Sequence, residues 1–107
     1  SGFRETFGGL HKKYGIYPDM AVFGKALGNG YAITAVIGRR EIMEAAQNTF
    51  ISSTFWTERI GPAAGLKTLE VMEREKSWEK ITKIGKNIEK NWIQLSEKYN
   101  LPLEVSG

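Results

Sequence analysis

Apolar residues recur at steps of three and four from Ile81 through Ile84, Ile88, Trp92 and Leu95 to Tyr99, the cleanest periodicity in the chain. Side chains at that spacing share one face of an α-helix, so the pattern predicts a long helix with a single buried stripe. Ser77 supplies an N-cap hydroxyl at its start, and Asn100 and Pro102 stop it. A second helix runs to about Glu75, with Pro62 in its first turn and Ala63, Leu66, Leu69 and Met72 forming its stripe. Residues 40–47 make a shorter helix, with Ile42, Met43, Ala45 and Ala46 apolar.

Two short apolar runs, residues 20–23 and 32–37, read as strands. The second is continuous rather than alternating, which predicts cover on both faces. The connection between them is short enough for an antiparallel return, and Gly38 ends the second strand. Residues 1–19 are glycine-rich and polar, with turn signals at Gly8-Gly9 and Tyr17-Pro18-Asp19 and a helical turn around residues 10–14. The run Thr49-Phe50-Ile51-Ser52-Ser53-Thr54-Phe55-Trp56-Thr57 has no clear period, and its three adjacent hydroxyl residues suggest a loop that hydrogen-bonds something. The expected class is α/β, with two adjacent strands, helices and a long C-terminal helix.

Length and composition narrow this picture. The 107 residues can form one domain with a modest core. The chain opens on Ser1-Gly2-Phe3-Arg4, and Leu101-Pro102-Leu103-Glu104-Val105 looks like a strand beginning. Both ends look cut, and we expect a piece of a longer protein. The net charge is +3, and lysines and glutamates alternate through the last third, the pattern of a solvated helix face. No aromatic residues interleave with a one-sided basic stripe, so nucleic acid is not the expected partner. Without cysteine there is neither disulfide framework nor thiolate metal site, which fits a reducing, cytoplasmic setting. One histidine, His11, excludes a multi-histidine metal centre, and no apolar stretch approaches the ~20 residues that span a bilayer.

The chemistry centres on Lys25, in Met20-Ala21-Val22-Phe23-Gly24-Lys25-Ala26-Leu27-Gly28-Asn29-Gly30-Tyr31. An amine directly after a buried strand would lose its proton more readily than one on a solvated face. A neutral amine at a rigid strand end is what a Schiff base with an aldehyde cofactor requires. Flanking glycines let a bulky ligand approach the backbone. On spacing alone, a lysine that leaves the sheet and snorkels to water accounts for the same residues. Two phosphate motifs are absent. A P-loop would need Gly five positions before Gly24, where Asp19 stands, and a dinucleotide fingerprint from Gly28 and Gly30 would need a small residue at Ile33.

Three strings in order, Ser1-Gly2-Phe3-Arg4, Tyr14-Gly15-Ile16-Tyr17-Pro18-Asp19-Met20 and Gly24-Lys25-Ala26-Leu27-Gly28-Asn29-Gly30-Tyr31, resemble the class III pyridoxal-phosphate aminotransferases. Within that family the chain is most similar to the glutamate-1-semialdehyde aminomutase-like branch. The resemblance implies a partial piece of a fold-type I large domain, with residues 1–102 from its C-terminal part and residues 103–107 opening the small domain. It implies pyridoxal 5′-phosphate as cofactor, Lys25 as the lysine of the internal aldimine, a small amino donor and acceptor as substrates, and a homodimer. A threonine before the Pro62 helix would reach the cofactor phosphate of the neighbouring subunit, by position Thr54 with Ser53 beside it. The family's Ser-Gly-Asn-Pro after that threonine is replaced by Trp56-Thr57-Glu58-Arg59, which leaves the choice among Ser53, Thr54 and Thr57 open. The acid that pairs with the pyridine nitrogen, the phosphate-cupping turn and the ring-stacking aromatic belong upstream of Ser1, so the chain alone is expected to be inactive. Two readings of other classes stand beside this one: a non-catalytic helical interaction module on residues 62–99, and a weak nucleic-acid binder using the C-terminal lysines.

Overall fold

A computed structural model describes residues 5–106. The Ser1-Gly2-Phe3-Arg4 string and Gly107 lie outside the described residues. Strand β1 (Met20–Phe23) pairs antiparallel with β2 (Ala35–Gly38), Met20 opposite Gly38 and Phe23 opposite Ala35. Between them Lys25–Leu27 forms one turn of 3₁₀ helix. Helix α1 (Arg40–Met43) tightens into a 3₁₀ turn at Glu44–Asn48. After an irregular stretch come α2 (Ile60–Glu75) and α3 (Ser77–Tyr99). The expected turn in the first segment is present at Leu10–Lys12. The expected strand after Leu101 does not form: residues 101–106 belong to no regular element.

The second strand is shorter at its start than the apolar run. Ile33 is drawn onto α2, and a Cβ added at Gly65 would sit 3.6 Å from Ile33 Cδ1. Residues 32 and 33 therefore pack against a helix instead of extending the ladder. Nor are both strand faces covered, because Val22, Val36 and Ile37 are all exposed. The apolar composition of these strands suits a larger sheet than this one pair.

Helix α2 approaches the strand connection through Gly61 and Gly65, both buried, with Met72 buried farther along the same helix. The stripe of Ala63, Leu66, Leu69 and Met72 was the expected contact face. Leu66 instead points outward, 71% exposed, because the glycines let the backbone come closer than any leucine would. Lys76 adopts a left-handed backbone between α2 and α3, and α3 restarts at once. Ser77 is thus the first helical residue, and its side chain makes no capping hydrogen bond. At the other end Asn100 closes α3 in the left-handed conformation, its N–H bonded to the Glu97 carbonyl at 3.3 Å. The helix is where the periodicity puts it, but its stripe is open: Ile84 is 57% and Trp92 54% exposed. Contact with α3 concentrates near its start, where Phe7 stacks on Trp78 with ring centroids 5.1 Å apart.

Leu27 and Met72 are the only buried hydrophobic side chains among the described residues. The radius of gyration is 18.5 Å, against about 13 Å for a compact chain near this length. Accessible surface is 9025 Å², where a folded monomer of this mass shows about 6,000 Å². The excess reflects the open strand faces and the open stripe of α3.

Candidate functional site

Lys25 sits where the ladder stops. Gly24 is extended, and Lys25 then turns left-handed at φ 48°. A non-glycine residue there carries backbone strain, and the surrounding structure must hold it. Three hydrogen bonds do so: Leu27 N–H to the Gly24 carbonyl at 3.1 Å, and the N–H groups of Gly28 and Asn29 to the Lys25 carbonyl at 3.1 and 3.0 Å. Gly28 is required by close approach, since a Cβ there would lie 2.1 Å from the Tyr31 carbonyl oxygen. Leu27, buried beneath α2, anchors the turn from below.

This geometry opens a cleft of about 810 Å³ beside the amine, within the size range of small-molecule sites. Val22, Gly24, Lys25, Ala26, Asn29 and Thr34 line it. The expected burial of Lys25 is not met, for its side chain is exposed. The strand residues before it are themselves half open, so nothing among the described residues withdraws the amine from water. What the fold does supply is a fixed backbone and room beside it.

Ser53, Thr54 and Thr57 are all exposed on the irregular stretch before α2, and residues 54–57 form a turn with the Glu58 N–H bonded to the Phe55 carbonyl at 3.0 Å. None of them lines the Lys25 cleft. They lead into the start of α2, whose first N–H groups have no intrahelical partner and whose cap position, Arg59, makes no side-chain capping bond. The cleft thus offers an amine for an aldehyde, an amide at Asn29 and a hydroxyl at Thr34, while the donors expected for a phosphate stand elsewhere. The lysine end of pyridoxal phosphate fits these residues, and its phosphate finds no basic pocket among them.

Sequence reasoning missed Asn29, Thr34 and the pair Gly61 and Gly65. The glycine pair, one helical turn apart, was a readable sign of close backbone approach. The perturbed titrations lie away from Lys25. A hydrogen bond and the charge of Glu5 raise Lys13 above its usual value. Lys67 lowers Glu70, and Lys80 with Arg74 lowers Glu75. All are exposed ion pairs on the helices and the first segment. Among the described residues no cluster of His, Cys, Asp and Glu could hold a metal ion, and no helix is long and apolar enough to cross a membrane.

The family model for class-III aminotransferases matches residues 5–107. A 3-aminobutyryl-CoA aminotransferase from Cloacimonas acidaminovorans is 37% identical over 108 residues, covering 100% of this chain and 26% of that protein. A glutamate-1-semialdehyde 2,1-aminomutase from Persephonella marina is 33% identical, covering 99% and 26%. A 2′-deamino-2′-hydroxyneamine transaminase from Streptomyces kanamyceticus is 31% identical, covering 100% and 27%. The chain spans about a quarter of the length of the curated relatives it matches.

Proposed function

The chain belongs to the class-III aminotransferases, and from that premise we propose that it is the lysine-bearing segment of a pyridoxal-phosphate-dependent aminotransferase or aminomutase. Membership implies the fold-type I architecture, of which the two-stranded sheet and helices are a partial piece. In this reading residues 1–102 belong to the large domain and residues 103–107 open the small one. The remaining strands and helices of the complete protein cover the apolar stripe of α3. The single observation that carries the reading is Lys25 itself, held by a strained, hydrogen-bonded turn at the end of β1 and beside an open cleft.

Pyridoxal phosphate, when bound, supplies an aldehyde that condenses with amines and a ring that draws electrons from the substrate α-carbon. Lys25 Nζ would hold that aldehyde. When free, the same amine would act as the general base, taking the proton from the substrate α-carbon and returning it. Gly24 and Gly30, which line the cleft, put no side chain in the way of the amine. Thr54, with Ser53 beside it and Thr57 as the other choice, donates to the cofactor phosphate of the neighbouring subunit in a homodimer. The first N–H groups of α2 add to that anion's field.

The substrates are a small amino donor and its acceptor, and the 107-residue chain alone does not turn over. Lys25→Ala in the complete protein should abolish transamination, and turnover near the parent rate would refute the assignment. A helical interaction module is the second reading, favoured by the open face of α3. It expects Lys25→Ala to leave the protein's behaviour unchanged.

A further inference from the structure

Thr34 carries the only hydroxyl among the described residues that line the Lys25 cleft. Continuing the ladder register one step beyond Phe23 and Ala35 sets Thr34 opposite Gly24, the residue before the lysine. Residues opposed in a ladder project to the same face, so Thr34 stands over the space that a side chain at position 24 would fill. A Cβ on Gly24 would lie 3.3 Å from Thr34 Cγ2. The methyl group therefore faces Gly24, and the staggered geometry at Cβ sends Oγ1 to a different side.

We propose that Thr34 is a positioning residue for the Lys25 amine, its hydroxyl hydrogen-bonding Nζ and restricting where that amine meets an aldehyde. Lys25 is exposed, and its four-carbon stem rotates freely unless something holds its end. A hydroxyl both donates and accepts, so it suits the amine in either protonation state. Asn29 is the other polar residue lining the cleft, and its backbone N–H donates to the Lys25 carbonyl at 3.0 Å. The inference rests on Lys25 being the cofactor lysine, and the test separates the two.

The complete protein is treated with pyridoxal phosphate and then borohydride, and the labelling rate at Lys25 is read by peptide mass mapping, with Lys90 as internal control. Thr34→Val keeps the branched shape and the methyl facing Gly24 but removes Oγ1. Thr34→Ser keeps Oγ1 and removes the methyl. Positioning by the hydroxyl makes Lys25 label about tenfold more slowly in Thr34→Val, the effect of one hydrogen bond to a charged group, with Lys90 unchanged and Thr34→Ser close to the parent. A packing role gives the reverse, normal labelling in Thr34→Val and slow labelling in Thr34→Ser, and overturns the inference. Equal rates in all three proteins overturn it too. Absence of label on Lys25 in the parent protein would instead refute the proposed function.

Discussion

A Cβ placed on Gly61 would stand 2.6 Å from the carbonyl oxygen of Ala32, so α2 meets the segment after the Lys25 turn backbone to backbone. One helical turn on, a Cβ at Gly65 would be 3.6 Å from its nearest neighbour, an ordinary contact. The two glycines are therefore not equivalent. Gly61→Ala should cost about 1–3 kcal/mol, because a backbone oxygen cannot move aside as a side-chain tip can. Gly65→Ala should be neutral or stabilise by about 0.5–1 kcal/mol through helix propensity. Urea unfolding of the two variants checks the ordering, and equal losses would contradict this packing.

Much of the fold was legible because it is local. The periodicity of α3, the left-handed stop at Asn100 and the antiparallel return around Lys25 all follow from residues close in sequence. Burial was not legible in the same way. Ile81 to Tyr99 and the apolar strands were read as buried because their patterns suit covered faces, and covering is a long-range event that a short chain cannot supply by itself. The inward face of α2 was misjudged for a related reason, since a hydropathy stripe counts leucines and overlooks glycines that win by closeness. At the site the motif located Lys25 and its turn, whereas Thr34 became visible only when the ladder register set it opposite Gly24.

The α2–α3 junction should be sensitive to acid. Lys80 Nζ donates to Glu75 Oε2 at 2.8 Å across the break at Lys76, and that hydrogen bond, with Arg74 beside it, lowers the Glu75 carboxyl below its usual 4.5. A lowered carboxyl contributes stability that is present above its unfolded value and lost as pH falls through the folded one. The pair is exposed, so the effect is modest and added salt weakens it. Circular dichroism of the chain should show helix content falling below about pH 4.5, with Glu75→Gln flattening part of that limb. An identical acid limb in Glu75→Gln would assign the loss elsewhere.

The open stripe of α3 makes a paired prediction. Ile88 is 44% exposed in this chain, so Ile88→Ala should change its stability by no more than about 0.5 kcal/mol. In the complete protein the same substitution should cost about 2–5 kcal/mol, the range for truncating a buried isoleucine. Denaturant midpoints of chain and complete protein, each with and without the change, decide it. Indifference in both settings would leave the stripe a solvent face.

Thr54→Val should weaken cofactor binding by about 1–3 kcal/mol, the cost of leaving a charged group without one of its hydrogen bonds. Ser53→Ala and Thr57→Val in parallel settle which hydroxyl of the exposed run matters. Equilibrium dialysis of pyridoxal phosphate against each variant of the complete protein gives the ranking. Unchanged affinity in all three would remove the run from the site.

The most direct measurement is the mass map of the complete protein after incubation with pyridoxal phosphate and reduction with borohydride. Reduction fixes the cofactor covalently to whichever amine holds it. The pyridoxyl group is expected on the peptide containing Lys25, in near-stoichiometric yield and lost in Lys25→Ala. Stoichiometric label on a different lysine, with Lys25 unmodified, would contradict the central claim.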